Sequence, residues 1–555
     1  MVHRITGRHL FVHTTGVAVW VPLDANIDDI CSAIIRIAEH VECVVNPMIH
    51  PHQDGYAISI ELPVDILYTG CSLLELAVDT PNLSVAEYDL RMIALLEEWT
   101  QEQNHPWRTL RQWAIDNGVP IVDDEDGLTL GMGRFSQTWP LRELPNIEDL
   151  QPENYKRIPC VYITGTNGKT TTTRMLSSIV QAQGALSGQY TCVGMTSTDG
   201  VVIDGIMVNQ GDWTGPGAAR QVLRHPTVDF AILETARGGL MRRGLVIENI
   251  DAAVVTNVSD DHLGTWGLYT IKDMARAKLT VAFGVQPTGT LILNADYPDL
   301  LNTWQEMQTQ YTHLPQKTML FSIEKQEGVD IFLRDGWIVH KTQGQIVSVD
   351  GIPLTFHGLA THNIENAMAA IGLAMVVGIS IPAIQQGLQR VIPNATTSKG
   401  RSNWLQYRGG DIIVDFAHNP DGVRKLAKMC AQWKAQRKIV VLGQAGDRDD
   451  QQLRDMAIAS LVMQPDLVLL KELPKHAYDK DPHEIVAILR SALEEQGLSA
   501  SQILEFASEQ DVAGWVIDNT MAQDICLFLS HEELDDVLTM LQDAGASWAE
   551  IAVQV

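Results

Sequence analysis

The stretch Gly165-Thr166-Asn167-Gly168-Lys169-Thr170-Thr171 combines residue types that can hold a chain of phosphates. Glycines let backbone N–H groups converge on phosphate oxygens, and a following helix adds the partial positive charge of its N-terminus. The Lys169 ammonium can reach the terminal phosphates and the Thr170 hydroxyl can hold Mg²⁺. The usual phosphate-loop pattern has a glycine where this chain has Ile163, so the loop is a shorter variant. A second candidate is Glu234, which ends the run Val-Asp-Phe-Ala-Ile-Leu-Glu. An acid at the carboxyl end of a buried strand can hold Mg²⁺, and equally can cap a helix or pair with a cation.

These residues need a strand, a turn and a helix to place them. The β-branched run from Ile158 to Thr164 predicts the strand, and Met175, Leu176, Ile179 and Val180 before Gly184 predict the helix. Val228 to Leu233, Ala252 to Val255 and Thr290 to Leu293 read as further buried strands, so a parallel sheet with crossover helices is expected. After Arg401 the alternation restarts, with candidate strands Ile412 to Phe416, Lys438 to Leu442, Leu467 to Leu470 and Ile525 to Leu529, predicting a second, Rossmann-like α/β domain. Before residue 155 the amphipathic stretches Leu90 to Trp99 and Trp107 to Ile115 predict helices, but no motif there points to chemistry. The proline-punctuated stretch from Trp139 to Pro152 reads as a linker.

At 555 residues, with 45% hydrophobic and 19% charged residues, the chain has material for two or three cores. A net charge of −28 disfavours nucleic acid and anionic membrane as partners. Seven scattered cysteines without a C-x-x-C pair suggest neither a disulfide framework nor a zinc site. No secretory signal or membrane-spanning run is visible, so a cytoplasmic location is expected.

Gly-Thr-Asn-Gly-Lys-Thr resembles the ATP loop of the Mur ligases and their relatives, folylpolyglutamate synthetase and cyanophycin synthetase. Glu234-Thr-Ala-Arg237-Gly-Gly-Leu-Met-Arg-Arg-Gly244 and Thr256-Asn-Val-Ser-Asp-Asp-His262-Leu-Gly264 are similar to cyanophycin synthetase, and the resemblance implies that Glu234 and His262 ligate magnesium. Lys278 matches a lysine that many Mur ligases carry as a metal-binding carbamate; a solvated helix lysine is the other reading. Thr361-His-Asn363-Ile-Glu-Asn366 resembles the signature that contacts adenine, implying that role for Asn366, with helix capping by Asn363 as the alternative. Gly400-Arg401 resembles the Gly-Arg whose guanidinium approaches the terminal phosphate, and Asp415-Phe-Ala-His418-Asn-Pro-Asp-Gly422 resembles the C-terminal strand-turn signature, placing Asp415 with the nucleotide. Thr196-Ser-Thr-Asp199-Gly200, Gly211-Asp212-Trp-Thr214-Gly-Pro216 and Gly446-Asp-Arg-Asp-Asp450 resemble cyanophycin synthetase in particular, and the likeness implies substrate contacts from Thr196, Asp199, Asp212, Thr214, Arg237 and His418.

The resemblance implies an α/β fold in three parts. These are an α+β N-terminal domain over 1–155, a Mur-type central ATP-binding domain over 156–398 and a Rossmann-like C-terminal domain over 399–555. Asn117-Gly-Val-Pro-Ile-Val and Leu128-Thr-Leu-Gly-Met-Gly-Arg-Phe135 are similar to the segment that leads into the ATP-grasp domain of cyanophycin synthetase, yet only the linker follows, so that second active site is expected to be missing. The implied activity is an ATP-dependent carboxylate–amine ligase working through an acyl phosphate. Lys169, His262, Lys278 and Arg401 would be catalytic, with ATP and Mg²⁺ as cofactors and an acidic amino acid or peptide plus a cationic amino acid such as arginine as substrates. A cell-wall-precursor or folylpolyglutamate-type ligase and a catalytically degenerate ATP-binding scaffold stay open as alternatives, as does a homo-oligomeric state.

Overall fold

The computed structural model describes residues 2–189, 191–261 and 263–549. It divides into two compact units, Met1–Ser322 with Glu327–Asp330 and Ala369–Ala383, and Ile323–Gln326 with Ile331–Met368 and Ile384–Val555.

The first unit opens with an antiparallel sheet of β1 (Val2–Ile5), β2 (Gly16–Pro22), β3 (Met48–His52) and β4 (Gly55–Glu61), in the order β1-β2-β4-β3. The helix Ile27–His40 buries Ile30, Ala33, Ile34, Ile37 and Ala38, the spacing of a single helical face. The two helices expected in this region run over Val85–Glu102, started by a Ser84–Glu87 capping box, and His105–Asp116. A small sheet follows, of β5 (Ile121–Asp124), β6 (Gly127–Leu130) and β7 (Gln137–Trp139). Between β7 and the next strand the chain forms only two short 3₁₀ turns, Ile147–Asp149 and Pro152–Asn154.

The larger sheet of this unit contains β8 (Cys160–Thr164), β9 (Val193–Thr196), β10 (Gly200–Ile203), β11 (Ile206–Gln210), β12 (Phe230–Glu234), β13 (Ile250–Val255), β14 (Val285–Asn294) and β15 (Lys317–Ser322). Their order is β11-β10-β9-β12-β8-β13-β14-β15. Strands β9, β12, β8, β13, β14 and β15 are parallel, whereas β10 and β11 form an antiparallel hairpin at the rim. The parallel strands are covered on both faces, which is why they read as unbroken apolar runs. On the outermost strand, β11, Ile206, Met207 and Val208 point to solvent. One apolar core joins the N-terminal residues Ile5, Phe11, Ala18 and Ala57 to Tyr162, Leu233 and Val255 of the large sheet.

The second unit carries a meander of β16 (Ile331–Arg334), β17 (Trp337–His340) and β18 (Gly344–Ser348). Its main sheet is built from β19 (Asn403–Tyr407), β20 (Gly410–Asp415), β21 (Arg437–Leu442), β22 (Leu467–Lys471), β23 (Ile503–Phe506), β24 (Asp524–Leu529) and β25 (Ser547–Trp548), in the order β23-β22-β21-β24-β20-β19-β25. Strands β20 to β24 are parallel. Alternate residues feed two cores: Ile413, Val440, Leu442, Val468, Leu470, Ile525 and Leu527 pack on one side, and Ile412, Val414, Ile439, Val441, Leu469, Cys526 and Phe528 on the other. That period of two, with helices over both faces, is the Rossmann-like layering the sequence predicts. At the end of β22, Lys471 forms a fully buried ion pair with Glu509. The Glu509 carboxylate also accepts hydrogen bonds from the Ser530 hydroxyl (2.7 Å) and the backbone N–H groups of His531 (2.6 Å) and Glu533 (2.9 Å).

Candidate functional site

Strand β8 lies between β12 and β13, so its carboxyl end, the phosphate loop, is flanked by Glu234 at the end of β12 and Thr256 just past β13. This is the edge where open α/β sheets receive ligands. Gly165 has φ +151°, and a Cβ there would stand 1.9 Å from the Thr256 hydroxyl, so no other residue fits. Gly168, at φ +85°, starts the helix Lys169–Ser187. Asn257 grips the loop from the side: its Oδ1 accepts from the Asn167 N–H (2.8 Å), and its Nδ2 donates to the Asn167 carbonyl (2.9 Å). The Thr256 hydroxyl donates to the same carbonyl (2.7 Å), and the Thr166 hydroxyl accepts from the Ser259 N–H (3.1 Å).

The reactive side chains sit on this frame. The Lys169 ammonium donates to the carbonyls of Gly165 (3.1 Å) and Thr166 (3.0 Å), so its charge lies over the loop. The Thr170 hydroxyl donates to Glu234 Oε2 (2.9 Å) and stands 3.0 Å from the Thr198 hydroxyl, while Thr171 is buried in the first turn of the helix. Two oxygen ligands this close at the base of a phosphate loop suit a hard cation such as Mg²⁺. Among the described residues no group of three or more His, Cys, Asp or Glu side chains is arranged to hold a metal ion. His262 lies outside the described residues.

Lys278 occupies the helix Ile271–Leu279, whose start is fixed by a Thr270–Asp273 capping box. It is 4% exposed. Burial pushes its amine well below the usual lysine range, Lys169 and Arg237 push the same way, and Asp261 opposes them. The uncharged amine is the form that reacts with carbon dioxide to give a carbamate. Arg237 donates from Nη1 to the Thr265 hydroxyl (2.9 Å).

The other residues expected at the substrate and the nucleotide have internal partners. The Thr196 hydroxyl donates to the Glu234 carbonyl (3.2 Å), and Asp199 pairs with Arg174 (2.7 Å). Asp212 accepts from both the hydroxyl (2.7 Å) and the N–H (3.2 Å) of Thr214, closing a turn. In the second unit, Asn366 is buried and donates to Asn363 Oδ1 (3.1 Å), and Asn363 donates to the Leu354 carbonyl (2.8 Å). Asp415 is buried and accepts from the backbone N–H groups of Ser402 (2.6 Å) and Ala417 (2.8 Å). Burial raises its carboxyl above the usual range, against the opposing charge of Arg401. The Arg401 guanidinium lies over the Phe416 ring, 5.3 Å from its centroid, and His418 Nδ1 donates to the Phe416 carbonyl (3.2 Å).

Sequence reasoning passed over Thr198, Asn257 and Asp261. Asn257 offered a signal: an Asn just past a buried strand is placed to bond neighbouring backbone.

Residues 163–374 match the Mur ligase middle domain and residues 400–531 match the Mur ligase, glutamate ligase domain. The chain is 37% identical over 343 residues to a cyanophycin synthetase of Geminocystis herdmanii, a match that takes in 59% of this chain and 37% of that protein. It therefore spans well under half the length of that relative. A UDP-N-acetylmuramoyl-L-alanyl-D-glutamate--2,6-diaminopimelate ligase of Gloeobacter violaceus is 27% identical, over 53% of this chain and 57% of its own. Among solved structures, E. coli FolC in complex with ADP, without folate substrate, superposes with a TM-score of 0.53 at 18% identity, covering 69% of this chain and 89% of that one, which shows a common fold. Among the described residues no helix is long and apolar enough to cross a membrane. With a middle and a glutamate-ligase domain that together take in more than half of its residues, the chain belongs to the Mur ligase family.

Proposed function

We propose that this chain is an ATP-dependent ligase that joins a carboxylate to an amine through an acyl phosphate, releasing ADP and phosphate. The observation that carries the reading is the pairing of the Thr170 hydroxyl with Glu234 at the base of the phosphate loop, beside Lys169 and the buried Lys278. A carboxylate is a poor acyl donor because it would have to expel oxide. Attack of its oxygen on the γ-phosphorus of ATP makes that oxygen part of a phosphate leaving group. The amine nitrogen then forms the amide bond and phosphate departs.

In this reading Lys169 leaves the two loop carbonyls and neutralises the terminal phosphates, and Arg401 braces the transferred phosphoryl group with its planar guanidinium. Thr170 and Glu234 would hold Mg²⁺, with His262 and a carbamylated Lys278 as the expected holders of a second ion; the bound metal supplies charge neutralisation to the phosphates. Arg237 offers a second cation for the anionic acceptor. The related diaminopimelate ligase, the FolC–ADP complex and the cyanophycin synthetases support the reaction class. The cyanophycin synthetase resemblance further supports an acidic amino acid or peptide as acceptor and a cationic amino acid such as arginine as amine.

The test is phosphate release by the purified chain with ATP, magnesium and a panel of acidic acceptors paired with amino acids, with products weighed by mass spectrometry. Amine-dependent release with a new amide product supports the reading. ATP binding without release under any pairing would replace it with a nucleotide-binding scaffold.

A further inference from the structure

The N-terminal sheet carries no motif of its own, yet part of it packs against the segment 265–269 of the first unit. His52, at the end of β3, donates from Nδ1 to the Gly267 carbonyl (3.1 Å). Its Nε2 is buried and meets no hydrogen-bond partner among the described residues, as fits a neutral ring protonated on Nδ1, and burial lowers its pKa to match. The Trp20 ring packs against His52 at 4.4 Å between centroids. Gly267 has φ +69°, and a Cβ there would stand 2.4 Å from Trp20 Cη2 and 2.5 Å from His52 Nδ1, so the turn is fitted to these two rings. His3 of β1 meets Trp266 edge-on at 5.3 Å.

The same segment also reaches residues that the ligase reading places at the site. Thr265 holds Arg237 through its hydroxyl, and Tyr269 leads into the Thr270 cap of the helix that carries Lys278. Arg237 opens the helix Arg237–Arg243, and the N-terminal chain fastens the other end of that helix as well. The Thr6 N–H donates to the Arg243 carbonyl (2.9 Å), and the Leu245 N–H donates to the Arg8 carbonyl (2.9 Å). At Gly244, φ +77°, a Cβ would stand 2.5 Å from the Gly7 carbonyl oxygen. Besides ion pairs from Asp124 to Arg220 and Arg224 on another flank, the N-terminal contacts land on a turn with two positive-φ residues, Trp266 (φ +57°) and Gly267, and on the C-terminal end of that short helix.

We propose that the N-terminal domain is a positioning element for the reaction centre, in which His52 and Trp20 hold the turn at 265–269 and, through Thr265, fix the guanidinium of Arg237. What Arg237 does once fixed rests on the ligase reading; the holding itself does not. His52 and Trp20 are positioning residues. They touch the turn, and the turn touches Arg237.

The experiment uses the full chain with His52→Leu, His52→Asn, Thr265→Val and the His52→Leu/Thr265→Val double variant. It reads amide hydrogen exchange in peptides covering 237–243 and 257–268, together with kcat and the KM for ATP. His52→Leu is expected to speed exchange in both peptides and lower kcat by about 5- to 20-fold with the KM for ATP within about twofold, a loss of placement rather than of binding. His52→Asn, whose side-chain amide can donate where Nδ1 did, restores both. If the path runs through Thr265, the double variant is no worse than the poorer single one; independent, multiplying losses overturn it. Unchanged exchange in His52→Leu also overturns the proposal, as does faster exchange with unchanged kcat. If the parent chain turns over no substrate pair, the ligase reading falls while the exchange comparison still decides whether the turn is held. Should His52→Leu fail to fold, Gly267→Ala, which drives a methyl group into both rings, is read in the same way.

Discussion

The phosphate loop and the Lys471–Glu509 pair are both polar sites at the ends of parallel strands, and they are satisfied in opposite ways. At the loop, Lys169 rests on two carbonyls of its own turn and Thr170 rests on Glu234, contacts that an incoming phosphate or metal can take over one by one. Inside the second unit, Lys471 and Glu509 are fully buried, and the carboxylate is further held by a hydroxyl and two backbone N–H groups within 3.0 Å. Burial pushes the Glu509 carboxyl up, but the Lys471 cation and the His531 N–H together hold it below the usual carboxylate range. Charge that must meet a ligand is held by provisional partners, and charge that shapes a loop is held by permanent ones.

Substituting each lysine separates the two. Lys471→Met strands a buried carboxylate and is expected to cost about 3–5 kcal/mol of stability, seen as a lower midpoint in urea unfolding. The double variant Lys471→Met/Glu509→Leu should recover part of that loss. Lys169→Ala is expected to leave the unfolding midpoint in place and to lower the rate of phosphate release by about 100- to 1000-fold, the scale of removing one donor from a transferring charge. A Lys169→Ala chain that kept its turnover would remove the loop from the mechanism.

A gentler probe uses acid. His3 is 8% exposed and burial lowers its pKa to about 4. The unfolded chain, with an ordinary histidine near 6.5, therefore binds a proton that the folded chain does not between about pH 4 and 6.5. Stability rises with pH across that window and is lost as the pH falls through it, by about 3 kcal/mol for His3 at pH 4. His50, lowered to about 4 mainly by burial and also by His52, acts in the same sense. Hydrogen exchange at pH 7 and pH 4.5 should show the N-terminal sheet loosening before the strands around the phosphate loop. His3→Phe should narrow the difference.

How much could be read from the sequence differs along the same line. Strands β8, β12, β13, β14, β20, β21, β22 and β24 were legible because burial on both faces writes an apolar run, and the phosphate loop was legible because glycine, lysine and threonine have few other reasons to stand together. The N-terminal sheet was not. Its strand β3 reads Met-Ile-His-Pro-His, and its role shows only when His52 meets Gly267, 215 positions away. Within the site, the closeness of Glu234 to Thr170 follows from strand order, which spacing along the chain does not encode. The likeness to cyanophycin synthetase singled out Asp199, Asp212 and Thr214, but their partners, Arg174 for the first and one another for the other two, are visible only in three dimensions.

Strand β11 has a consequence outside catalysis. Its open edge shows Ile206, Met207 and Val208 to water, a ready template for a strand from another molecule. The surplus of 28 negative charges over the whole chain works against that encounter through mutual repulsion. Colloidal behaviour is thus tied to ionic strength: concentrated salt shortens the reach of the repulsion and leaves three apolar side chains on a bare hydrogen-bonding rim to govern whether copies stay apart.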